Sequence, residues 1–314
     1  MNLHIRTILV LIWASQATSP LRAAELIYVS LFNNTIVSYD VSLGTAGSIQ
    51  ASASLFANTN LNNPFGLAFD SDGNLYAANG NGNTISKFDS TGAYVTNITT
   101  NLSSPRGLAF DSGGNLYAAN NGNSTISKFD STGAYVTNIT TNLSTPFGLV
   151  FDTAGNLHAS NEGNSTVSRF DSAGGYLSNI TTNLFSPRGL AFDSTGKLYA
   201  ANNDNNTISK FDVDGTFHST ITSNMSNPRG LAFDSAGNLY AANISDNSIS
   251  KFDSSGTFQF KWTTSSNPRF LAFVPEPSTY VLTSIAVGLL GLHARRKARN
   301  AWTRAIALDS VATA

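Results

Sequence analysis

Six side chains in this 314-residue sequence follow a proline at a nearly fixed interval: Phe65, Arg106, Phe147, Arg188, Arg229 and Arg269. Guanidinium groups offer paired donors to carboxylate, phosphate or sulfate, and phenyl rings offer a stacking face to a sugar or acyl group. A second set at the same interval, Asn79, Asn120, Asn161, Asn202 and Asn243, adds amide donors and acceptors. If the fold gathers these positions, they form one ligand-binding ring. The competing reading pairs each arginine with an aspartate of a neighbouring repeat, a common and weak kind of surface contact.

Groups suited to acid–base or metal chemistry are sparse. His4 and His293 lie near the ends, His158 stands where other repeats carry Tyr, and His218 has no counterpart. Glu162 is the one glutamate inside the repeats; it follows His158 by four residues, but off a helix that spacing is not a zinc pattern. Asp204 and Asp246 are irregular acidic additions. Asp70 with Asp72, and Asp212 with Asp214, flank glycines that make a hairpin turn the simpler explanation, and no Glu completes a calcium loop. The chain has no cysteine, which removes disulfides, thiolate metal sites and cysteine nucleophiles. No catalytic residue, metal or cofactor is assigned.

The elements that must position these residues are written in the repeat itself. Asn-Pro-Phe-Gly-Leu-Ala-Phe-Asp at 63–70 returns around Pro105, Pro146, Pro187 and Pro228, 41 residues apart, and a worn copy follows at Pro268. Each unit divides into four short strands: a (107–111), b (115–120), c (125–130) and d (135–140) in the second unit. Strand a is apolar throughout, as a strand packed on both faces should be. Strand c reads as alternating, with Ile126 and Lys128 set against Ser127 and Phe129. Asp-x-x-Gly turns join a to b and c to d, where an aspartate caps backbone N–H groups and glycine supplies a positive φ. A period near 41 with four strands is that of a propeller blade. Residues 26–56 supply only b, c and d, with d read as 49–56, and the worn copy at 270–274 supplies the missing a. The expected fold is all-β: a six-bladed β-propeller closed by one split blade, with the post-proline side chains and the b–c loops on one face.

Gly-Asn-Leu-Tyr-Ala-Ala-Asn-Asn-Gly-Asn-Ser-Thr-Ile-Ser-Lys-Phe-Asp at 114–130 resembles the NHL repeat, and the resemblance spans residues 26–274. It implies a β-propeller. Where that family carries Asp at the end of strand b, this chain carries the five asparagines above; where it carries Arg before the strand-c Ile, this chain has Thr84, Thr125, Thr166, Thr207 and Ser248. Binding roles attached to that Asp and Arg do not transfer.

The ends carry different signals. Residues 1–24 read as a secretory signal peptide, with Arg6, an apolar run over 8–14 and small residues at 23 and 24. At the other end Pro275-Glu276-Pro277 precedes an apolar stretch over 280–292 and the cluster Arg295, Arg296, Lys297 and Arg299. This order resembles the PEP-CTERM sorting signal, which implies an exosortase-type processing protease as partner and a transient hydrophobic helix in the membrane. Thirteen residues make about 20 Å of helix against a hydrocarbon layer of roughly 30 Å. The domains expected are therefore 1–24, 25–274, 275–299 and a tail of unknown role at 300–314.

Between the two ends, 11 Lys and Arg face 17 Asp and Glu, an acidic body that argues against nucleic-acid binding. The expected function is an exported, cell-surface or extracellular, non-catalytic binding module for an exopolysaccharide or a protein. A propeller lyase or lactonase using His158, Glu162 or His218 in the channel is the alternative, and a structural matrix protein a third.

Overall fold

The structure is a computed structural model and describes residues 25–274. Six four-stranded antiparallel sheets make up the described residues, and five of them are continuous in sequence. The first of these, blade 2, runs Pro64–Phe69, Leu75–Asn79, Thr84–Phe88 and Tyr94–Ile98 as strands a to d. Blades 3 to 6 repeat it with strands a at Pro105–Phe110, Pro146–Phe151, Pro187–Phe192 and Pro228–Phe233. Blade 1 is the split one: Pro268–Phe273 pairs antiparallel with Leu26–Leu31, which continues through Thr35–Asp40 to Ser54–Ala57. That pairing covers the inner edge of Leu26–Leu31, so the six-bladed reading holds.

Each core lies between blades. In one such layer Tyr76, Ala78 and Ile85 of blade 2 pack against Leu108, Leu116 and Phe129 of blade 3. In blades 2 to 6 the inner strands approach so closely that only glycine fits at the third position of strand a. A Cβ on Gly107 would sit 2.4 Å from the Phe147 carbonyl oxygen of the next blade. The turns form as their sequences demand: Asp111 Oδ1 accepts the N–H groups of Gly113 and Asn115, while Gly114 takes φ +78°.

One expectation needs correction. Residues 49–51 do not belong to strand d of blade 1; Ala46–Ala51 is a helical turn, and strand d is only Ser54–Ala57. Thr45 caps that turn by accepting the Ser48 N–H, and Ile49 is fully buried in the layer between blades 6 and 1. The alternation in strand c separates two packed faces, with Ser127 and Phe129 as buried as Ile126. The signal peptide, the sorting segment with its apolar stretch, and the 300–314 tail lie outside the described residues. Among the described residues no helix is long and apolar enough to cross a membrane.

Candidate functional site

The loop that presents each post-proline side chain is held from two sides. Within blade 3, Asn120 Oδ1 accepts the Ser103 N–H, and its Nδ2 donates to Thr125 Oγ1 and Ser127 Oγ at 3.0 and 2.8 Å. From blade 2, Asn83 Oδ1 accepts the N–H of Ser104 at 2.7 Å. Ser104, directly before the proline, has φ +46°, and Asn63, Thr145, Ser186 and Asn227 repeat this left-handed geometry. Such a backbone is costly for Ser and Thr and persists where surrounding bonds over-determine it. The clamp aims strand a so that its second residue faces the propeller axis.

Asn79, Asn120, Asn161, Asn202 and Asn243 are therefore clamps. Each is at most 1% exposed with both amide ends bonded, which leaves nothing to offer a ligand. Their place among the ligand-binding candidates is corrected on that ground. The polarity that suggested recognition serves the buried hydrogen bonds of the loop instead.

The six post-proline side chains do converge. Phe65 and Phe147, from blades 2 and 4, meet edge to face with centroids 6.0 Å apart. Phe147 also stacks on Phe270 at 5.8 Å, and blades 4 and 1 stand opposite each other in a ring of six. Phe270 takes the place where other blades carry glycine. Together these three rings reach across the axis and form a floor beneath the channel mouth. The Arg106 and Arg269 guanidinium carbons lie 3.8 and 3.9 Å from the Phe65 centroid, and that of Arg229 lies 5.5 Å away. Arg188 sits 5.2 Å from the Phe147 centroid.

Their electrostatics are unusual. Arg188 donates through Nε and Nη2 to Glu162 Oε1 at 3.1 and 2.6 Å. The other three arginines have no carboxylate partner among the described residues, so neither the neighbouring-aspartate reading nor full neutralisation holds. The buried nitrogens Nε and Nη1 of Arg106, Nε of Arg229, Nε and Nη1 of Arg269, and Nη1 of Arg188 have no acceptor. Four guanidinium groups against one carboxylate leave three positive charges facing aromatic rings. Burial, then the charges of Arg188 and Arg269, pushes Arg229 down to about 9, with Glu162 opposing. Burial, then Arg106 and Arg188, pushes Arg269 down to about 10. Arg106 is lowered by burial in the same way, against the pull of Glu162.

A rim of six residues surrounds this ring, each directly after the end of strand b: Phe32, Gly80, Asn121, Glu162, Asn203 and Ile244. Sequence reasoning singled out Glu162 but missed the set. Its signal was available, because this is a variable position right beside a fixed asparagine. Phe32 is 56% exposed with its ring 4.8 Å from the Arg269 guanidinium carbon. Asn203 is 5% exposed, and its Nδ2 has no partner. A Cβ on Gly80 would meet Arg106 Nη1 at 2.4 Å and the Phe65 ring at 2.9 Å, so a side chain there displaces the arginine.

The residues named for an enzymatic reading are dispersed. His158 is the second residue of the strand Leu157–Asn161 and Glu162 follows its end, so about 13 Å of strand separates them. His158 is buried at the opposite face, 3.3 Å from Asp152 and edge-on to Phe192, and burial lowers its pKa. His218 is on an outer strand beside Asp212. Asp204 accepts from Ser186, and Asp246 pairs with Lys261. Among the described residues no three His, Asp or Glu gather as metal ligands. The strand-end aspartates pair with strand-c cations at that opposite face, as Lys87 does with Asp70 and Arg169 with Asp152.

Comparison with curated proteins finds no match. Among solved structures, one chain of a nidogen/laminin complex aligns with a TM-score of 0.70 at 19% identity, covering 80% of this chain and 98% of that one. A streptogramin B lyase aligns at 0.57 and 18% identity, covering 77% and 74%. The virginiamycin B lyase of Staphylococcus aureus aligns at 0.59 and 15%, covering 77% and 85%. Likeness at these identities concerns the fold. The PEP-CTERM protein-sorting motif matches residues 273–297, which supports export with a C-terminal sorting signal. The sequence pattern of the virginiamycin B lyase family matches residues 49–281, well over half of the sequence, and this six-bladed propeller belongs to that family.

Proposed function

We propose that the protein is an exported, non-catalytic binding module that takes an acidic glycan at the mouth of its channel. The observation that carries this reading is the gathering of four arginines from four blades with a single carboxylate among them. Unpartnered guanidinium nitrogens in a half-buried bowl favour an anionic guest, which supplies the acceptors the chain withholds. The NHL-like wording of the repeats supports the same module reading. Its sorting signal anchors the chain in the membrane until an exosortase-type protease acts near Pro275-Glu276-Pro277, leaving the propeller at the cell surface or outside.

Glycan-array binding tests the ligand. Acidic glycans are expected to bind the native protein and to be lost when Arg106, Arg188, Arg229 and Arg269 are all replaced by Gln in a variant that still melts cooperatively. Retained binding in that variant removes the proposal, and binding confined to acidic peptides moves the ligand to a protein. For sorting, the intact mass of the secreted protein is expected to lack the residues after the Pro-Glu-Pro segment.

Family membership supports a second reading, a lyase or lactonase acting at the same mouth. There Glu162 would be the acid–base group beside the arginines, since His158 and His218 stand elsewhere. Turnover of lactone substrates that is abolished by Glu162→Gln would favour it over binding alone.

A further inference from the structure

We infer that the channel mouth recognises the terminal phosphate or sulfate monoester of a sugar, with the ester head among Arg106, Arg229 and Arg269 and the sugar ring stacked on Phe32. This inference rests on the binding reading above and specifies its ligand.

Three features of the bowl select this class. The first is depth. Phe65, Phe147 and Phe270 meet across the axis among the arginines, so a polysaccharide cannot thread through and only an end group enters.

The second is the supply of donors. Six guanidinium nitrogens from four blades lack acceptors, and the site holds three uncompensated positive charges. A carboxylate carries one charge and lies in one plane. A monoester head has three terminal oxygens arranged around an axis, so donors arriving from blades 3, 6 and 1 can each meet one, and a phosphate head brings up to two charges.

The third is the asymmetry of the rim. On one side Phe32 stands exposed beside Arg269, an apolar platform at the distance of a sugar ring from its own ester. Across the mouth Asn121 and Glu162 add polar groups, while Asn203 is buried beside them with its Nδ2 unpartnered. Glu162 occupies Arg188 as an internal anion. Without its charge, Arg188 becomes the fourth arginine open to the guest.

Calorimetric titration of the full chain with inorganic phosphate, glucose 6-phosphate, glucose 6-sulfate, glucuronate and glucose tests the inference. Glucose 6-phosphate or 6-sulfate is expected to bind about tenfold more tightly than glucuronate or inorganic phosphate, and glucose not at all. The phosphate and sulfate arms tell which ester is preferred. Phe32→Ala is expected to erase the advantage of the sugar ester over inorganic phosphate, Arg269→Gln to weaken every anion, and Glu162→Gln to tighten them severalfold. Equal binding of glucuronate and the esters overturns the inference, as does an unchanged ester-to-phosphate ratio in Phe32→Ala; either result leaves the acidic-ligand reading standing. If no anion binds the native chain, both fall.

Discussion

Arg229 illustrates what the channel mouth costs the fold. It is charged and half-buried, with Nε unbonded and the like charges of Arg188 and Arg269 nearby. Ring faces compensate part of this, at about 0.5–2 kcal/mol per contact, but they do not replace hydrogen bonds. Arg229→Leu is therefore expected to stabilise the propeller by about 1–2 kcal/mol at pH 7 while weakening anion binding. The pH dependence follows from the direction of the shift. A base whose native pKa is held near 9, below its ordinary value, sheds its proton from the native state first as pH rises. The unfolded chain then binds more protons, so the native penalty shrinks above pH 9. Urea titrations at pH 7 and pH 10 should show the advantage of Arg229→Leu falling at the higher pH. Anion affinity in the unsubstituted protein should fall over the same window. A variant no more stable than the parent at pH 7 would mean that the mouth is not electrostatically strained.

At the scale of the element, the unit of design is the clamped loop. Asn120 joins the loop entering strand a to strands b and c with three bonded groups, all inside the blade. Asn120→Ala strands the Ser103 N–H and removes one donor from each of the Thr125 and Ser127 hydroxyls, which keep their other partners, and should cost about 1–2 kcal/mol by chemical denaturation. It should also speed amide exchange at Ser103 and Ser104, and a variant that loses stability without that local loosening would contradict the clamp. The strands were legible because hydrophobic runs and Asp-x-x-Gly turns recur in phase, and observed and expected bounds differ by no more than two residues in the regular blades. Residues 46–51 were not, because the connection in blade 1 has no second copy to compare with and its helix is set by Ile49 finding a core. At the site, the variable residue after proline was readable because its neighbours do not vary. The clamping asparagines were misread for a physical reason: amide polarity is visible in sequence, whereas burial against Ser and Thr hydroxyls is a property of the folded blade. Glu162 lay in view without its partner, since the Arg188 that meets it comes from the next repeat.

For the whole molecule, stability depends on closing the ring. Tyr28, Val29 and Leu31 are buried between Pro268–Phe273 and the flanking blades, and Phe270 also fills the axis. A chain ending before Pro268 exposes the apolar strand Leu26–Leu31 along its full edge and opens the floor of the mouth. It is expected to form soluble oligomers or aggregates on size-exclusion chromatography and to lose the single cooperative melt, whereas a chain ending at Val274 should keep both. A monomeric, cooperatively melting truncation at residue 267 would show that five and three-quarter blades suffice.

The split blade also sets a timetable. Leu26–Leu31 is among the first segments of the propeller to be made, and its partner Pro268–Phe273 is the last. Some 240 residues must be synthesised before the first strand has its mate, so the pairing with the longest separation along the chain is also the final one in time. Until then the half-built disc carries an unsatisfied apolar border that can capture a neighbouring nascent chain. Holding the chain extended until its last strand has been made would protect it, and passage through an export channel imposes that delay.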